Sequence, residues 1–394
     1  MQGQSGFGSQ PLGLFRAHAL EEIPQTYSWF EEMRAHHPVF YDERIWHVFR
    51  YEDVLTVLTD YTRFSSEPLA GFTASFLKDT LVSKDPPDHR KLRNLVNLAF
   101  TPRAVARLSD RITQITQELL DQVRPLGKMD VVSDIAFPLP AKVIAEMLGV
   151  PSEDWNIFQR WARVDSSDPN IARQEAGQSM QDEMFDYFSK LLEERRRKPR
   201  EDLLSALSMA EVDGERLSEI ELVSFCMLLL AAGQETTKNL IANAIVCLTQ
   251  HPDTLARVIR EPALVPTAIE EVLRYLPPVW FLVRQTTTDV ELAGQHIPAG
   301  QIALAWMASA NRDPAQFANP DRFDIEREPN RHLGFGHGIH FCVGAPLARL
   351  EARIALPMML EQLGDLQRVE GVPITVRMGI VFVIGSFPMT FQPR

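Results

Sequence analysis

The chain has 394 residues, 45% hydrophobic and 23% charged, which is ordinary for a globular protein and excludes collagen, coiled coil and wholesale disorder. Its 40 Lys and Arg against 52 Asp and Glu leave a formal charge of −12, which argues against nucleic acid as the main partner because phosphate binding needs a basic surplus. A chain of this length divides into two or three domains or forms one large unit, and its interior can hold a sizeable ligand.

The opening, MQGQSGFGSQPLG, lacks the basic start and apolar core of a secretory signal. Its Gly, Ser and Gln content predicts a flexible tail over 1–13, ahead of a single domain over 14–394. Pro38 to Phe49 has β-rich stretches around Asp42-Glu43-Arg44 and predicts a hairpin. Tyr51 to Asp60 carries Val54, Leu55, Val57 and Leu58 at helical spacing. From Ser65 to Lys84 the pattern is lost, predicting a long loop that carries Phe72, Phe76 and Leu77. Most of Pro86 to Thr249 is helical. Val105, Leu108, Ile112, Ile115, Leu119 and Val123 predict one amphipathic helix, and Leu217 to Thr249 predicts another about 50 Å long.

Helices are expected again at Asp253–Ile259 and Pro266–Leu276. Beyond Pro277 short β runs appear at Trp280–Val283, Asp289–Leu292 and Ile302–Trp306. An irregular stretch runs from Asn311 to Gly338, a helix covers Ala345–Leu363, and Ile374 to Phe391 alternates like a hairpin turned near Gly385. The sum is a mainly α body with a minor β-rich part. No GxGxxG or GxxxxGK[ST] follows a strand, so nucleotide-cradle chemistry is set aside. No apolar run reaches the ~20 residues of a bilayer span, and Phe225 to Gly233 reads as a buried helix segment. Cys226, Cys247 and Cys342 cannot form a disulfide framework and fit a reducing cytoplasm.

The stretch His332 to Arg349, HLGFGHGIHFCVGAPLAR, is the most informative. Gly336, Gly338 and Gly344 surround Cys342 just before a helix, so backbone can pass close to a flat group and N–H donors can face the sulfur. A lone thiolate is a poor structural zinc site, which needs four ligands, and a good axial ligand for haem iron. Taken alone, the loop also fits a buried cysteine beside a glycine-rich turn. The full pattern Phe335-Gly336-x-Gly338-x-His340-x-Cys342-x-Gly344 resembles the haem-binding signature of the cytochrome P-450 family. The resemblance extends from about Tyr27 to the C-terminus and is closest to the soluble bacterial type; His340 stands where Arg is frequent.

That resemblance implies the family's mainly helical fold, with haem b between the long helix and the cysteine loop and Cys342 as iron ligand. Ala232-Gly233-Gln234-Glu235-Thr236-Thr237, mid-way along the long helix, is similar to the family's oxygen-activation motif. A helix that places Gly and paired Thr at its most buried stretch weakens itself, which fits either this chemistry or a change from buried to exposed turns. The resemblance makes Thr236 the hydroxyl, Glu235 the acid and Gly233 the gap beside the cofactor. It assigns His89, Arg93, Arg284 and His340 to the two propionates, since buried carboxylates need paired cations. Arg90 and Lys91 are then surface residues facing an acidic electron donor. Glu271 and Arg274 sit on the polar side of their helix wheel, which favours an exposed pair. The family likeness instead makes them a buried fold-holding pair completed by Arg322. Phe72, Phe76, Leu229, Ala232, Val279, Trp280 and Ile384 are expected around the substrate.

The implied reaction inserts one atom of O2 into a hydrophobic small molecule by hydroxylation or epoxidation, with electrons from a separate ferredoxin and its reductase and no role for membrane or nucleic acid. A haem carrier or gas sensor, and a hydroperoxide-driven peroxygenase, are the alternatives.

Overall fold

Apolar residues in the middle of the chain resolve into a helix of 32 residues, Glu219–Gln250. Ser218 opens it with a capping box, its side chain accepting from the Glu221 amide while Glu221 reaches back to the Ser218 amide. Leu222 to Leu230 are buried nearly all round, and Leu240 to Leu248 are buried again beyond a π-helical segment, Leu229–Gly233. The π segment widens the helix by one residue where its burial is interrupted, at Ala231 to Gly233, a form that concentrates at functional sites. By length and composition the helix could cross a membrane, but 67% of its apolar window is buried inside the protein.

The computed structural model describes residues 19–67, 75–162 and 175–394. The tail expected over 1–13 and the candidate Phe72 lie outside the described residues. Around the central helix pack Pro138–Leu148, Val265–Tyr275 and Ala345–Gln362, the last of which also packs on Ser109–Val123. The expected helix through 105–123 is broken at Arg107 and Leu108. Thr101 caps a short helix, Pro102–Ala106, and the Leu108 amide bonds back three residues to Val105, a tight turn that keeps the apolar face in register.

The β structure is small. Strands β1 (Val39–Tyr41), β2 (Trp46–Val48), β3 (Phe64–Ser65), β5 (Leu282–Thr286) and β8 (Ile302–Ala305) form a sheet of order β1-β2-β8-β5-β3. The expected hairpin is β1–β2, with Tyr41 opposite Trp46. β4 (Lys128–Asp130), β12 (Pro388–Pro393) and β9 (Leu363–Arg368) form a second sheet, and β6 (Val290–Leu292) pairs β7 (Gln295–Ile297). The C-terminal hairpin turns at 378–382 rather than at Gly385. It pairs β10 (Thr375–Arg377) with β11 (Val383–Ser386), and Gly385 lies within β11. A Cβ at Gly385 would sit 2.7 Å from Thr375 Oγ1, so glycine serves close strand approach there, not a turn.

Glu271 and Arg274 are both fully buried. The polar side of their helix is not left to solvent, because the irregular segment after Asn311 covers it. Arg274 donates to Glu271 twice at 2.8 Å and to the carbonyls of Asn311, Pro320 and Arg322 at 2.9, 2.7 and 3.0 Å. Here the third arginine differs from expectation. The Arg322 side chain is exposed and contributes its carbonyl, whereas Arg327 Nε reaches both Glu271 oxygens at 3.3 Å. The Asp324 amide and Asn330 Nδ2 complete the Glu271 shell at 2.8 and 3.1 Å.

Candidate active site: a thiol loop facing the central helix

The cysteine loop is built by backbone. Gly336 and Gly338 adopt φ of 70° and 71°, a region that favours glycine, and the Cys342 amide donates to the Phe335 carbonyl at 3.0 Å. At Gly338 a Cβ would lie 3.1 Å from the Leu58 carbonyl, so the loop docks against Tyr51–Thr59 at a distance that only glycine permits without a shift. Gly344 ends the loop at the start of Ala345–Gln362. Cys342 is exposed, yet its sulfur lies deep among protein atoms, the combination that an internal cavity produces. Burial pushes the thiol up. The Gly344 amide, the Arg93 guanidinium and the Ala345 amide oppose this without reversing it, so the loop biases the sulfur toward thiolate but needs a further positive centre to complete the ionisation.

That cavity measures about 270 Å³ and is bounded both by the loop, through Phe335, Gly336, Cys342 and Gly344, and by the central helix, through Leu229, Ala232, Gly233, Thr236 and Thr237. The Thr236 hydroxyl donates to the Ala232 carbonyl at 2.7 Å, inside the π segment's junction with the following helix. Glu235 is largely buried and lies 3.8 Å from both Lys238 Nζ and Arg377 Nη2, so its carboxylate is held between two cations. A Cβ at Gly233 would come within 2.9 Å of Ile144 Cδ1. The glycine therefore also admits Ile144, a cavity residue that the sequence did not single out.

Arg93, Arg284 and His340 line one side of the cavity, and His89 packs behind, its ring 4.4 Å from that of His340. Arg284 is buried and donates to the Val283 carbonyl at 2.8 Å; Arg93 donates to the Phe341 carbonyl at 2.8 Å. Burial drives Arg284 down to about 10 and His89 to about 4, the latter assisted by His340 and Arg93. Among the described residues one carboxylate faces this group: Asp85, 3.9 Å from His340 Nε2. Nε2 of His89 and Nε2 of His340 have no hydrogen-bond partner among the described residues. Four cationic or protonatable groups against one acid, with two orphaned buried nitrogens, fit an anionic group entering from the cavity. Among the described residues no cluster of three His, Cys, Asp or Glu could hold a bare metal ion, so an iron on Cys342 would draw its other ligands from a macrocycle. The residues fit haem.

Of the expected substrate wall, Leu229, Ala232 and Val279 line the cavity and three residues do not. Trp280 stacks on Phe382 and packs against Phe30 and Tyr27 in the core. Ile384 is fully buried, its amide bonded to Asn239 Oδ1 at 3.2 Å. Phe76 is buried in the core under the Ser75–Asp79 turn. Side chains turned toward the core carry the same apolar signature as those turned toward a ligand, and sequence does not separate them. Of the two surface cations, Lys91 pairs with Glu215 and Arg90 is exposed.

Sequence reasoning missed the brace beneath the loop. Arg349 donates to Glu270 through Nε and Nη2, both at 2.7 Å, and stacks over the Phe335 ring at 4.5 Å. His332 Nε2 adds a 3.0 Å contact. Burial would raise Glu270, but the hydrogen bonds from Arg349 and His332 win and hold it at about 2. No spacing rule links residues 270, 332 and 349.

The Cytochrome P450 family model matches residues 141–381. Cyclomarin C epoxidase CymV of Salinispora arenicola is 41% identical over 376 residues, covering 92% of this chain and 95% of the relative. Erythromycin C-12 hydroxylase of Saccharopolyspora erythraea is 40% identical, covering 86% and 87%. Among solved structures, CYP109E1 of Bacillus megaterium in complex with testosterone superimposes with a TM-score of 0.85 at 39% identity, covering 92% of this chain and 98% of that one. Likeness of this extent, joined to a thiol loop and a cation cluster that fit haem, means that the chain belongs to the cytochrome P450 family as a haem-dependent monooxygenase.

Proposed function

We propose that the protein oxygenates a hydrophobic small molecule by hydroxylation or epoxidation, as one cytoplasmic domain over 14–394, with haem b on Cys342 and electrons from a ferredoxin and its reductase. The single observation that carries the proposal is the cavity itself: its wall is almost wholly apolar, and its few polar groups are the thiol, the cation cluster and the helix threonines. The testosterone complex of one relative supports an apolar, drug-sized substrate class. When bound, haem supplies the activation of O2, and a thiolate ligand favours O–O cleavage.

The chain's own residues divide the remaining work. Cys342 holds the iron, and the loop amides and Arg93 spread the sulfur's charge. Arg93, Arg284, His89 and His340 hold the propionates. Thr236 Oγ1 donates within the helix at rest and offers its proton to the cavity by rotating about χ1. Glu235, tethered to Lys238 and Arg377, takes up a proton from solvent and passes it on to replace that one. Glu271, Arg274 and Arg327 keep the covering segment, and with it the haem, in place.

A compound library screened for shifts in the haem absorption spectrum, followed by NADPH-dependent turnover with ferredoxin and reductase, tests the proposal. Product formed at the expense of NADPH and O2 is expected. Haem binding without turnover would make the protein a carrier or sensor, and oxidation that runs on H2O2 alone and survives Thr236→Ala would make it a peroxygenase.

A further inference from the structure

Trp306 precedes Met307 of the cavity wall, is completely buried, and donates its indole N–H to His47 Nδ1 at 3.1 Å. Because Nδ1 accepts, the neutral imidazole carries its proton on Nε2, which lies 3.2 Å from Asp42 Oδ2. The approach is too oblique for a full hydrogen bond, so it does little for a neutral ring and much for a charged one. The other Asp42 oxygen accepts from the amides of Arg44 and Ile45 at 3.0 and 2.8 Å, which keeps the carboxylate ionised at the tip of the β1–β2 hairpin. His47 and Asp42 have side chains 1% and 2% exposed. Burying such a pair is costly, and hydrophobic packing at this point does not require it.

Aromatic rings continue the chain in both directions. Phe281, next to Leu282 of the cavity wall, has its ring 4.7 Å from Trp306, and the His47 and Phe49 rings lie parallel to the indole at 6.0 and 6.2 Å. Trp29, half-buried, stands edge-on to Trp306 at 6.5 Å and opens toward the surface. Trp280 supplies the contrast. It is as deeply buried and close to Tyr27, but its indole nitrogen has no partner among the described residues and so no base to take its proton.

We infer that Trp306, with His47 as proton acceptor and Trp29 as outlet, is a one-electron relay that drains oxidising equivalents left at the haem when oxygen or peroxide is reduced without product. One electron passes from the Trp306 indole to the oxidised haem site, the indole N–H bond breaks, and the proton moves to His47 Nδ1. The imidazolium so formed faces the Asp42 carboxylate. Trp29 returns an electron to Trp306, whose nitrogen recovers the proton, and a dissolved one-electron reductant of the thiol or ascorbate class restores Trp29. The inference rests on the haem site assigned above.

Full-length haem-loaded protein, its loading verified by absorption, is mixed with hydrogen peroxide in the absence of substrate and freeze-quenched for electron paramagnetic resonance. A tryptophanyl radical is expected, its spectrum narrowed by ring-deuterated tryptophan. The signal is expected to be lost in Trp306→Phe and in His47→Phe, to last longer in Trp29→Phe, and to be unchanged in Trp280→Phe. Trp306→Phe also bleaches its haem faster. A radical that survives Trp306→Phe, or none in a wild-type protein whose haem peroxide bleaches, overturns the relay. If Trp306→Phe does not fold, peptide mass spectrometry of peroxide-treated wild type decides: oxidation at Trp306 and Trp29 supports the relay, and oxidation confined to other residues refutes it. Failure to bind haem at all would count against the site assignment instead.

Discussion

Two clusters of buried cations, one bordering the cavity and one around Glu271, are built in opposite ways. Around Glu271 all five Arg274 N–H groups have acceptors and the carboxylate accepts from Arg274, Arg327, Asn330 and the Asp324 amide. Around His340 the cations outnumber the acid Asp85 among the described residues, and two imidazole nitrogens there have no hydrogen-bond partner. A closed network of that kind fixes a fold, because removing any member strands a buried charge. An open one anticipates a ligand, because its charges are complete only when something arrives.

The contrast can be broken at several points. Arg274→Ala is expected to have the largest effect, a loss of about 3–5 kcal/mol with little folded, haem-loaded protein, measured by yield and urea midpoint; a normal midpoint would mean that the network is not closed. Arg327→Ala should follow at about 1.5–3 kcal/mol, the range for hydrogen bonds to charged groups. Cys342→Ser should leave the fold intact by circular dichroism while abolishing turnover, and unchanged turnover would remove the sulfur from the chemistry. Thr236→Ala should lower the ratio of product to NADPH consumed, with peroxide as the by-product, and a wild-type ratio would end its role.

In the open cluster the effect is smaller and depends on pH. His89 sits at about 4 in the folded protein against 6.5 when unperturbed, through burial first and then His340 and Arg93. A depressed histidine binds fewer protons folded than unfolded, so its contribution is complete above pH about 6.5 and is lost as the pH falls toward about 4. His89→Leu should flatten that part of the cofactor-free stability profile, and bound haem carboxylates, by favouring the charged ring, should flatten it too. Parallel profiles in all three would show the cluster to be indifferent to charge. The smallest expectation is for Arg322→Ala, within ~0.5 kcal/mol because that side chain is exposed.

The hairpin at Asp42, the helices at Tyr51 and Val265, and the long central helix were all legible, because each depends on spacing over a few residues. The break at Arg107 and the misplaced C-terminal turn were not. A tight turn can preserve apolar periodicity, and Gly385 relieves a strand contact with Thr375 ten residues away. The helix wheel failed at Glu271 for the same reason: it counts neighbours on one helix and is blind to the segment that covers its other face.

What the amino-acid order alone settles is the local chemistry: one cysteine in a glycine-rich loop ahead of a helix, and a helix that weakens itself at Gly233 and Thr236. Backbone conformation and short-range periodicity are properties of neighbours in the chain. Folding decides everything that depends on which way a side chain turns and what meets it from afar. It makes Arg327 rather than Arg322 the partner of Glu271, sends Trp280 and Ile384 into the core instead of the cavity, and joins Trp306 to His47 across 259 positions.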